Sequence, residues 1–247
     1  MRLLLLNGNT DPAITDSLAR RARRVLDALG RQDVALVPVT AGFGARYIAS
    51  RAAAAIAAHA VLEAVARHVG QVDAVAIACF GDPALEAARE IFPGPVSGMA
   101  DASLSAALRL APRIAFLTGG AAWVPMLREF CLLRGAGPAV VDVRSIPPTG
   151  DLIARDPAAA AALLSAEAQA AASAGAGVVV LGGAGLAGLA GMVAAPVPVL
   201  DSLDCLLAEA VSGVGLCRSP APAPTPSLGL DPALELALRV APDTPRG

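Results

Sequence analysis

Cys79 occupies a position at which the sequence pattern allows thiol chemistry. It ends an apolar run that begins after Asp73, and Gly81 and Asp82-Pro83 follow it. This pattern predicts a buried strand, a tight turn and a helix start. Ligands of α/β proteins bind at the carboxyl ends of strands, and a helix start there favours an anion. We therefore expect a thiol that can be held as a thiolate; the alternative is a small buried apolar residue.

Polar and glycine residues that follow two other predicted strands are candidates for binding a substrate oxygen. These residues are Asn7, Asn9, Thr10, Thr118, Gly119 and Gly120. Their amides and hydroxyls are expected to form a neutral nest for a carboxylate or imide oxygen. A helix cap is the alternative for Asn9 and Thr10. For Thr118 we favour substrate binding, because the two glycines after it let backbone amides approach a ligand.

One loop in the first half of the chain combines aromatic and cationic side chains. Its members are Phe43, Arg46, Tyr47 and Arg51. An arginine here could pair with a substrate carboxylate, and a solvated loop is the alternative. We count Tyr47 among the substrate-binding candidates, together with Phe80, the neighbour of the candidate thiol.

A glycine-rich turn with Gly182, Gly183 and Gly185 follows a late buried strand. Its amides could approach a ligand, and the missing side chain at position 183 would leave room for a bulky or planar substituent. The alternative is that these glycines only allow a helix and a strand to pack closely.

Composition excludes several classes of function. The net charge is −2 and no basic cluster is interleaved with aromatics, so nucleic acid is not an expected partner. The chain has two histidines, no lysine and no Cys-x-x-Cys pair, so neither a metal site nor a lysine-containing phosphate loop is predicted. Cys131 and Cys205 fall in predicted helices and Cys217 in a loop; we take Cys131 as structural.

Location and assembly are also expectations from composition. Met1-Arg2 leads directly into a run of leucines too short for a signal peptide, which together with the cysteine usage indicates a reduced cytoplasmic protein. Residues 168–200 contain no ionisable side chain, yet their many glycines indicate the end of a helix, a buried strand and a turn into another helix rather than a membrane span. A homo-oligomer is expected for so hydrophobic a chain.

Strands and helices alternate in the predicted order of elements. The predicted strands cover residues 2–6, 33–39, 73–79, 113–117, 139–143, 178–181 and 197–200. The predicted helices cover residues 12–29, 50–68, 83–91, 101–110, 123–134, 156–174 and a last one that ends near 213.

The two halves of the chain repeat one pattern. RLLLLNGNT from Arg2 corresponds to RIAFLTGG from Arg113, and DAVAIACFGDPAL corresponds to AGVVVLGGAGLAG. This repetition predicts an α/β fold with two pseudo-symmetric lobes, each a short, mainly parallel sheet flanked by helices, and an active site in the cleft between them.

The lobes are expected to divide the chain near residue 97. Lobe 1 would comprise residues 1–97, with 203–217 packing back on it, and lobe 2 residues 98–202. A proline-rich extension would follow over 218–247. Within the extension, residues 231–240 could form a short helix that packs on the body or on a partner.

Five stretches resemble the aspartate/glutamate/hydantoin racemase superfamily, and its hydantoin racemase branch in particular. They are NGNT from Asn7, ACFGDPALEAAREIFPGPVSGMADAS from Ala78, FLTGGAAWVPML from Phe116, VVVLGGAGLAGL from Val178 and PVPVLDSL from Pro196. The resemblance covers about residues 1 to 215. It implies a two-lobed fold, cofactor-free chemistry and a small carboxylate, amino-acid or hydantoin-like substrate.

The resemblance also implies two cysteines that face the substrate carbon from opposite sides. The first falls on Cys79, but Gly183 occupies the place of the second. Racemisation by two thiols is then not available, and a second acid must come from elsewhere. Cys205 is not obviously in reach. His59 is a conceivable donor, although a solvent-facing position is the simpler interpretation.

Three functions remain open from the sequence. The first is a racemase or epimerase that transfers a proton at a carbon α to a carboxyl or imide carbonyl, with Cys79 as its one catalytic cysteine. The second is a decarboxylase that protonates an enediolate with Cys79. It would mirror the arylmalonate decarboxylases of the same superfamily, which have glycine at the first-lobe position and keep the second-lobe cysteine. The third is a non-catalytic binder of small anions, which Gly183 favours.

Overall fold

Buried apolar runs form the strands of two sheets, each with four parallel strands. The computed structural model describes residues 1–147, 156–212 and 226–239. Cys217, most of the loop after Ile146, the proline-rich run after Arg218 and the last residues of the chain lie outside the described residues.

The strands and helices alternate along the chain as predicted. The strands are β1 (Arg2–Asn7), β2 (Ala35–Thr40), β3 (Ala74–Ile77), β4 (Val96–Gly98), β5 (Ile114–Gly119), β6 (Val140–Ile146), β7 (Val178–Gly182) and β8 (Val199–Asp201). The helices are α1 (Pro12–Ala28), α2 (Arg51–Arg67), α3 (Leu85–Ile91), α4 (Met99–Leu110), α5 (Trp123–Leu133), α6 (Pro157–Ser173), α7 (Ser202–Ser212) and α8 (Pro232–Arg239).

The two sheets have the same strand order, which confirms the repetition seen in the sequence. The first runs β2-β1-β3-β4 and the second β6-β5-β7-β8. In both, helices cover the faces, so the central strands are buried on both sides and are apolar without alternation. The sequence does not predict β4, because three residues are too few to show a period.

Local capping explains where several helices begin. The Asp11 side chain accepts a hydrogen bond from the Ala13 amide at the start of α1, and Ser50 accepts one from Ala53 at the start of α2. Asp156 caps α6 in the same way, and Pro157 follows it. These caps depend only on neighbouring residues, so the sequence pattern locates them well.

One helix begins later than predicted, and one predicted helix is replaced by other structure. The expected start of α3 at Pro83 is wrong: Asp82 and Ala84 adopt left-handed conformations, with φ of +50° and +62°, and the helix begins only at Leu85. The expected helix after β7 is also wrong. Two single 3₁₀ turns replace it, because Gly183 and Gly188 have positive φ and cannot continue an α-helix.

One apolar cluster joins the two sheets. It contains Leu3 and Leu5 of β1 together with Phe116 of β5 and Val178 and Val180 of β7. The helices reinforce this connection: α4 follows the first sheet but also contacts β7 and β8, and α7 follows the second sheet but contacts α1, β3 and β4. We therefore propose that the chain divides into two lobes near residue 97, and that α4 and α7 each pack on the lobe they do not follow.

The last described helix packs on the body. α8 lies against α2, with Leu234 buried, and Arg67 of α2 binds the Asp231 carboxylate at 2.7 Å. Over residues 1–147, 156–212 and 226–239, every helix is too short or too polar to cross a membrane.

Candidate active site

The strand registers identify which residues of the two lobes correspond. Leu6 of β1 pairs with Ile77 of β3, and Leu117 of β5 pairs with Leu181 of β7. Cys79 lies two residues after Ile77, and Gly183 lies two residues after Leu181. Position 183 is therefore the second-lobe equivalent of the thiol.

The same correspondence relates the residues that follow β1 and β5. Asn7 corresponds to Thr118, and Gly8 corresponds to Gly119. Because these strands are parallel, their carboxyl ends meet at one edge of each sheet, where the predicted site residues Asn7, Cys79, Thr118 and Gly183 lie.

Cys79 is buried, and its only described polar partner is an amide of the β1 loop. The residue is 7% exposed, and a methyl group added at Gly8 would lie 3.2 Å from Sγ. Burial and, to a smaller extent, the Asp82 charge raise the pKa of Cys79 to about 12, although the Gly8 N–H lowers it. This raised pKa favours the neutral thiol over the expected thiolate in the free protein. α3 begins too far along the chain to supply a helix end.

Asp82 caps a helix that the sequence did not assign to it. Its carboxylate accepts hydrogen bonds from the amides of Ala100 at 2.8 Å and Asp101 at 2.7 Å, at the start of α4. Gly98, the cap residue of α4, has no side chain and leaves room for this carboxylate. Burial raises the pKa of Asp82 to about 7, although these two hydrogen bonds lower it. Asp82 therefore stabilises the start of α4, in addition to preceding α3 in the chain.

Asn7 organises the loop between β1 and α1. It is 1% exposed, and its Nδ2 donates to Asn9 Oδ1 at 2.9 Å and Thr15 Oγ1 at 3.0 Å. Its Oδ1 accepts from the Asn9 amide, and Asn9 Oδ1 accepts from the Asp11 amide at 2.9 Å. These groups hold the loop that carries Gly8. A direct role of Asn7 and Asn9 in substrate binding stays a prediction.

Phe80 and Gly182, both predicted to bind substrate, pack on each other across the two sheets. A methyl group added at Gly182 would lie 2.4 Å from the Phe80 ring. The ring also lies 6.0 Å from that of Phe116, and Phe80 is 4% exposed. The absence of a side chain at position 182 therefore permits a close contact between the lobes.

The second-lobe side of the site contains hydrogen-bond donors without partners. Thr118 of β5 is 3% exposed and pairs with Gly182, the residue before this turn. The amides of Gly183, Ala184 and Gly185 donate to no backbone acceptor in the described part of the chain. Gly183 has φ of +141°, and a methyl group added there would meet no atom within 4 Å. The arrangement offers a neutral, open place for an anionic oxygen.

The loop after β2 reaches from the first lobe to the second. Tyr47 Oη donates to the Gly119 carbonyl at 3.0 Å, and Trp123 Nε1 donates to the Ile48 carbonyl at 2.9 Å. On the other side the Thr10 amide donates to the Ala45 carbonyl at 3.1 Å. The loop is thereby tied to the ends of β1 and β5.

The charged residues of this loop already have partners. Arg46 pairs with Asp11 at 3.0 Å, and Arg51 pairs with Glu129. His59 lies exposed on α2, 3.3 Å from the Glu63 carboxylate, which is the solvent-facing position that the sequence favours. Cys131 is 1% exposed in the apolar core, whereas Cys205 lines a surface cavity of 780 Å³ beside Asp204 and Glu209.

Sequence reasoning missed Gly8 and Trp123. Gly8 contributes the amide that contacts the thiol, and Trp123 both anchors the loop and packs on Gly81, where a methyl group would lie 2.6 Å from the ring. The repeat contained a signal for Gly8, since it aligns with Gly119. No local pattern indicated Trp123, whose partner Ile48 is distant along the chain.

Comparison with known proteins gives concordant results. A model of the family described as Asp/Glu/Hydantoin racemase matches residues 3–210. A hydantoin racemase from Pseudomonas sp. (strain NS671) is 31% identical over 207 residues, covering 82% of each chain. One from Paenarthrobacter aurescens is 31% identical over 229 residues, covering 90% of this chain and 95% of the relative.

A solved structure is also similar over most of its length. The crystal structure of an allantoin racemase from Pseudomonas fluorescens has a TM-score of 0.85 and 29% identity, covering 93% of this chain and 100% of that one.

Proposed function

Because this chain belongs to the Asp/Glu/hydantoin racemase family, we propose that it transfers a proton at a carbon α to a carboxyl or imide carbonyl of a small molecule, with Cys79 as its catalytic thiol. The single observation that supports this proposal best is the position of the Cys79 thiol. It lies at the carboxyl edge of β3, against the Gly8 amide and beside the loops that the family match covers. Its relatives are hydantoin racemases, so 5-substituted hydantoins are the first substrates to test.

The raised pKa of Cys79 determines how the thiol enters the reaction. In the free protein it is a neutral thiol, ready to donate a proton. To abstract one it must first ionise, and the Gly8 N–H is the described group that stabilises the thiolate. The electron pair left by the abstracted proton would move onto the carbonyl oxygen of the substrate as an enolate.

Stabilisation of the enolate oxygen would come from the second lobe. The unpaired amides of Gly183, Ala184 and Gly185 and the Thr118 hydroxyl are neutral donors that need no reorganisation to meet a developing charge. Loss of one such donor typically lowers kcat by about 100-fold or more. Arg46 and Arg51 are not required in this scheme.

A proton-exchange experiment tests the proposal. Enantiopure 5-substituted hydantoins, α-amino acids and aryl- or alkylmalonates are incubated with the protein in D₂O and followed by proton NMR and chiral chromatography. We expect exchange of the α proton in one class of substrate. Cys79→Ala should lower that rate at least about 100-fold, the usual size of an acid–base contribution. Cys131→Ala, which removes another buried thiol, is the matched control and should retain the rate.

A decarboxylase is the second candidate, and the site at position 183 favours it. The open space at Gly183 could hold a substituent or the carboxylate that departs. The carbon–carbon bond would break, carbon dioxide would leave, the electron pair would form an enediolate, and the neutral Cys79 thiol would protonate it on one face. Solvent would then reprotonate the thiolate.

The outcomes separate the candidates. Release of carbon dioxide from a malonate, abolished by Cys79→Ala, would replace the racemase proposal with the decarboxylase. Binding of a hydantoin or malonate without any exchange or decarboxylation would support a non-catalytic binder. Equal rates for Cys79→Ala and the unsubstituted protein would show that Cys79 is not the catalytic thiol.

A further inference from the structure

We propose that the hydroxyl of Tyr47 is the second proton donor of this site and acts on the face of the substrate opposite Cys79. This inference rests on the proposed function, because it concerns the same proton transfer. It addresses the chemistry that the glycine at position 183 cannot perform.

The pseudo-symmetry of the two lobes carries the inference. In the first lobe the Cys79 thiol lies against Gly8, where a methyl group would be 3.2 Å from Sγ. In the second lobe the equivalent of Gly8 is Gly119, and the Tyr47 hydroxyl lies there. Its oxygen would be 3.8 Å from a methyl group added at Gly119 and 3.4 Å from one at Gly120. Each lobe thus presents a proton-bearing group beside the same glycine.

The sheet register relates the phenol to the empty thiol position. Thr118 of β5 pairs with Gly182 of β7, so Gly119 and Gly183 follow side by side at the edge of the sheet. Neighbouring strands lie about 4.8 Å apart. A methyl group at Gly183 would meet no atom within 4 Å, so the position where a second thiol would lie is open.

The loop holds the phenol at this place. The Trp123–Ile48 and Thr10–Ala45 hydrogen bonds fix the residues on either side of Tyr47, and the hydroxyl itself donates to the Gly119 carbonyl. Tyr47 is 53% exposed, and its partial burial raises the pKa of the phenol, which is protonated at neutral pH even at its ordinary pKa. A hydroxyl can turn from the carbonyl towards a ligand by rotation about one bond.

The proton transfers balance. The Cys79 thiolate takes the α proton on one face, forming S–H, while the C–H electron pair becomes the enolate. The enolate carbon takes the Tyr47 proton on the other face, and the O–H electron pair stays on the phenolate. Solvent, which took the proton of Cys79 when the thiolate formed, then returns one to the phenolate, and both groups are again the neutral thiol and the phenol. The reverse direction uses the phenolate as the base.

Two rates measured on the same sample test the inference. One is exchange of the α proton for deuterium with retention, which needs Cys79 alone. The other is racemisation, which needs a donor on each face. We expect Tyr47→Phe to lower racemisation at least about 100-fold while exchange with retention stays within about fivefold. Phenylalanine keeps the ring and removes only the hydroxyl.

Trp123→Phe is the control for a loop that is merely displaced. It loosens the loop by removing the hydrogen bond to Ile48 but keeps the Tyr47 hydroxyl, so it should lower racemisation less than Tyr47→Phe does. Equal losses of both rates in Tyr47→Phe, or unchanged racemisation, would overturn the inference. So would an unsubstituted protein that exchanges with full retention. If no substrate undergoes exchange at all, the proposed function itself fails.

Discussion

The protonation state of Cys79 is set by its surroundings more than by its position at the end of a strand. A strand end followed by a helix start commonly lowers a thiol pKa, but here burial and, to a smaller extent, the Asp82 charge raise it, and the helix begins later. A neutral thiol can act as a proton donor. It also means that slow alkylation at neutral pH follows from burial alone, and so does not separate an enzyme from a binder.

Alkylation of Cys79 should depend steeply on pH. With a pKa of about 12, the thiolate fraction rises roughly tenfold per pH unit up to that value. We therefore expect the iodoacetamide rate, followed by mass spectrometry between pH 7 and 9, to rise without a plateau and to stay below that of glutathione. A plateau below pH 9 would show that the site stabilises the thiolate. Because the unfolded thiol ionises first as pH rises, this group lowers the free energy of unfolding only above about pH 8.5.

At the scale of secondary structure, the turn after β7 determines how closely the lobes approach. Gly182 ends the strand under the Phe80 ring, and Gly183 then turns the chain with a positive φ. An added side chain would have a different effect at each of these two positions. At position 182 it would collide with the ring, whereas at position 183 it would enter open space with a strained backbone.

Gly182→Ala should destabilise the protein. The added methyl group would lie 2.4 Å from the Phe80 ring, so the ring or the strand must move. We expect the free energy of unfolding, measured with urea, to fall by about 1–3 kcal/mol, the usual range for an overpacked core. Gly185→Ala is the matched control: its methyl group meets no atom within 4 Å and should change stability by less than about 0.5 kcal/mol. Equal effects of both substitutions would contradict the close packing.

At the scale of the whole molecule, one arginine with two ion pairs links the beginning of the chain to the end of the second sheet and the helix after it. Arg21 of α1 binds Asp201, which ends β8, at 3.2 Å and Asp204 of α7 at 3.1 Å. The Asp201 carboxylate also accepts from the amides of Gly188 at 2.6 Å and Leu203 at 3.0 Å. It therefore holds the 3₁₀ segment, the start of α7 and α1 together.

Arg21→Met should cost more than removal of an exposed ion pair. The Asp201 side chain is 1% exposed, so its charge would remain buried with only two amide partners. We expect a loss of about 2–4 kcal/mol in the free energy of unfolding. Arg51→Met removes an arginine that pairs with Glu129 between the lobes at the surface, and should cost less than about 1 kcal/mol. The prediction is wrong if the two variants unfold at the same urea concentration.

The amino-acid sequence by itself determined the alternation of strands and helices, the two-lobed repeat, the starts of α1 and α2 to within one residue, and the family. Each of these depends on periodicity or on side chains that bond to the backbone a few residues away, which a linear pattern records. The sequence also indicated that Cys79 and Gly183 lie at corresponding positions of the two lobes.

Only the tertiary structure decided the chemistry of that edge. The pKa of Cys79, the cap that Asp82 provides to α4, the Phe80–Gly182 contact and the place of Tyr47 beside Gly119 all join residues distant in the chain. The dielectric around a group and the partners that reach it arise when the two sheets pack together. No local sequence pattern contains that information.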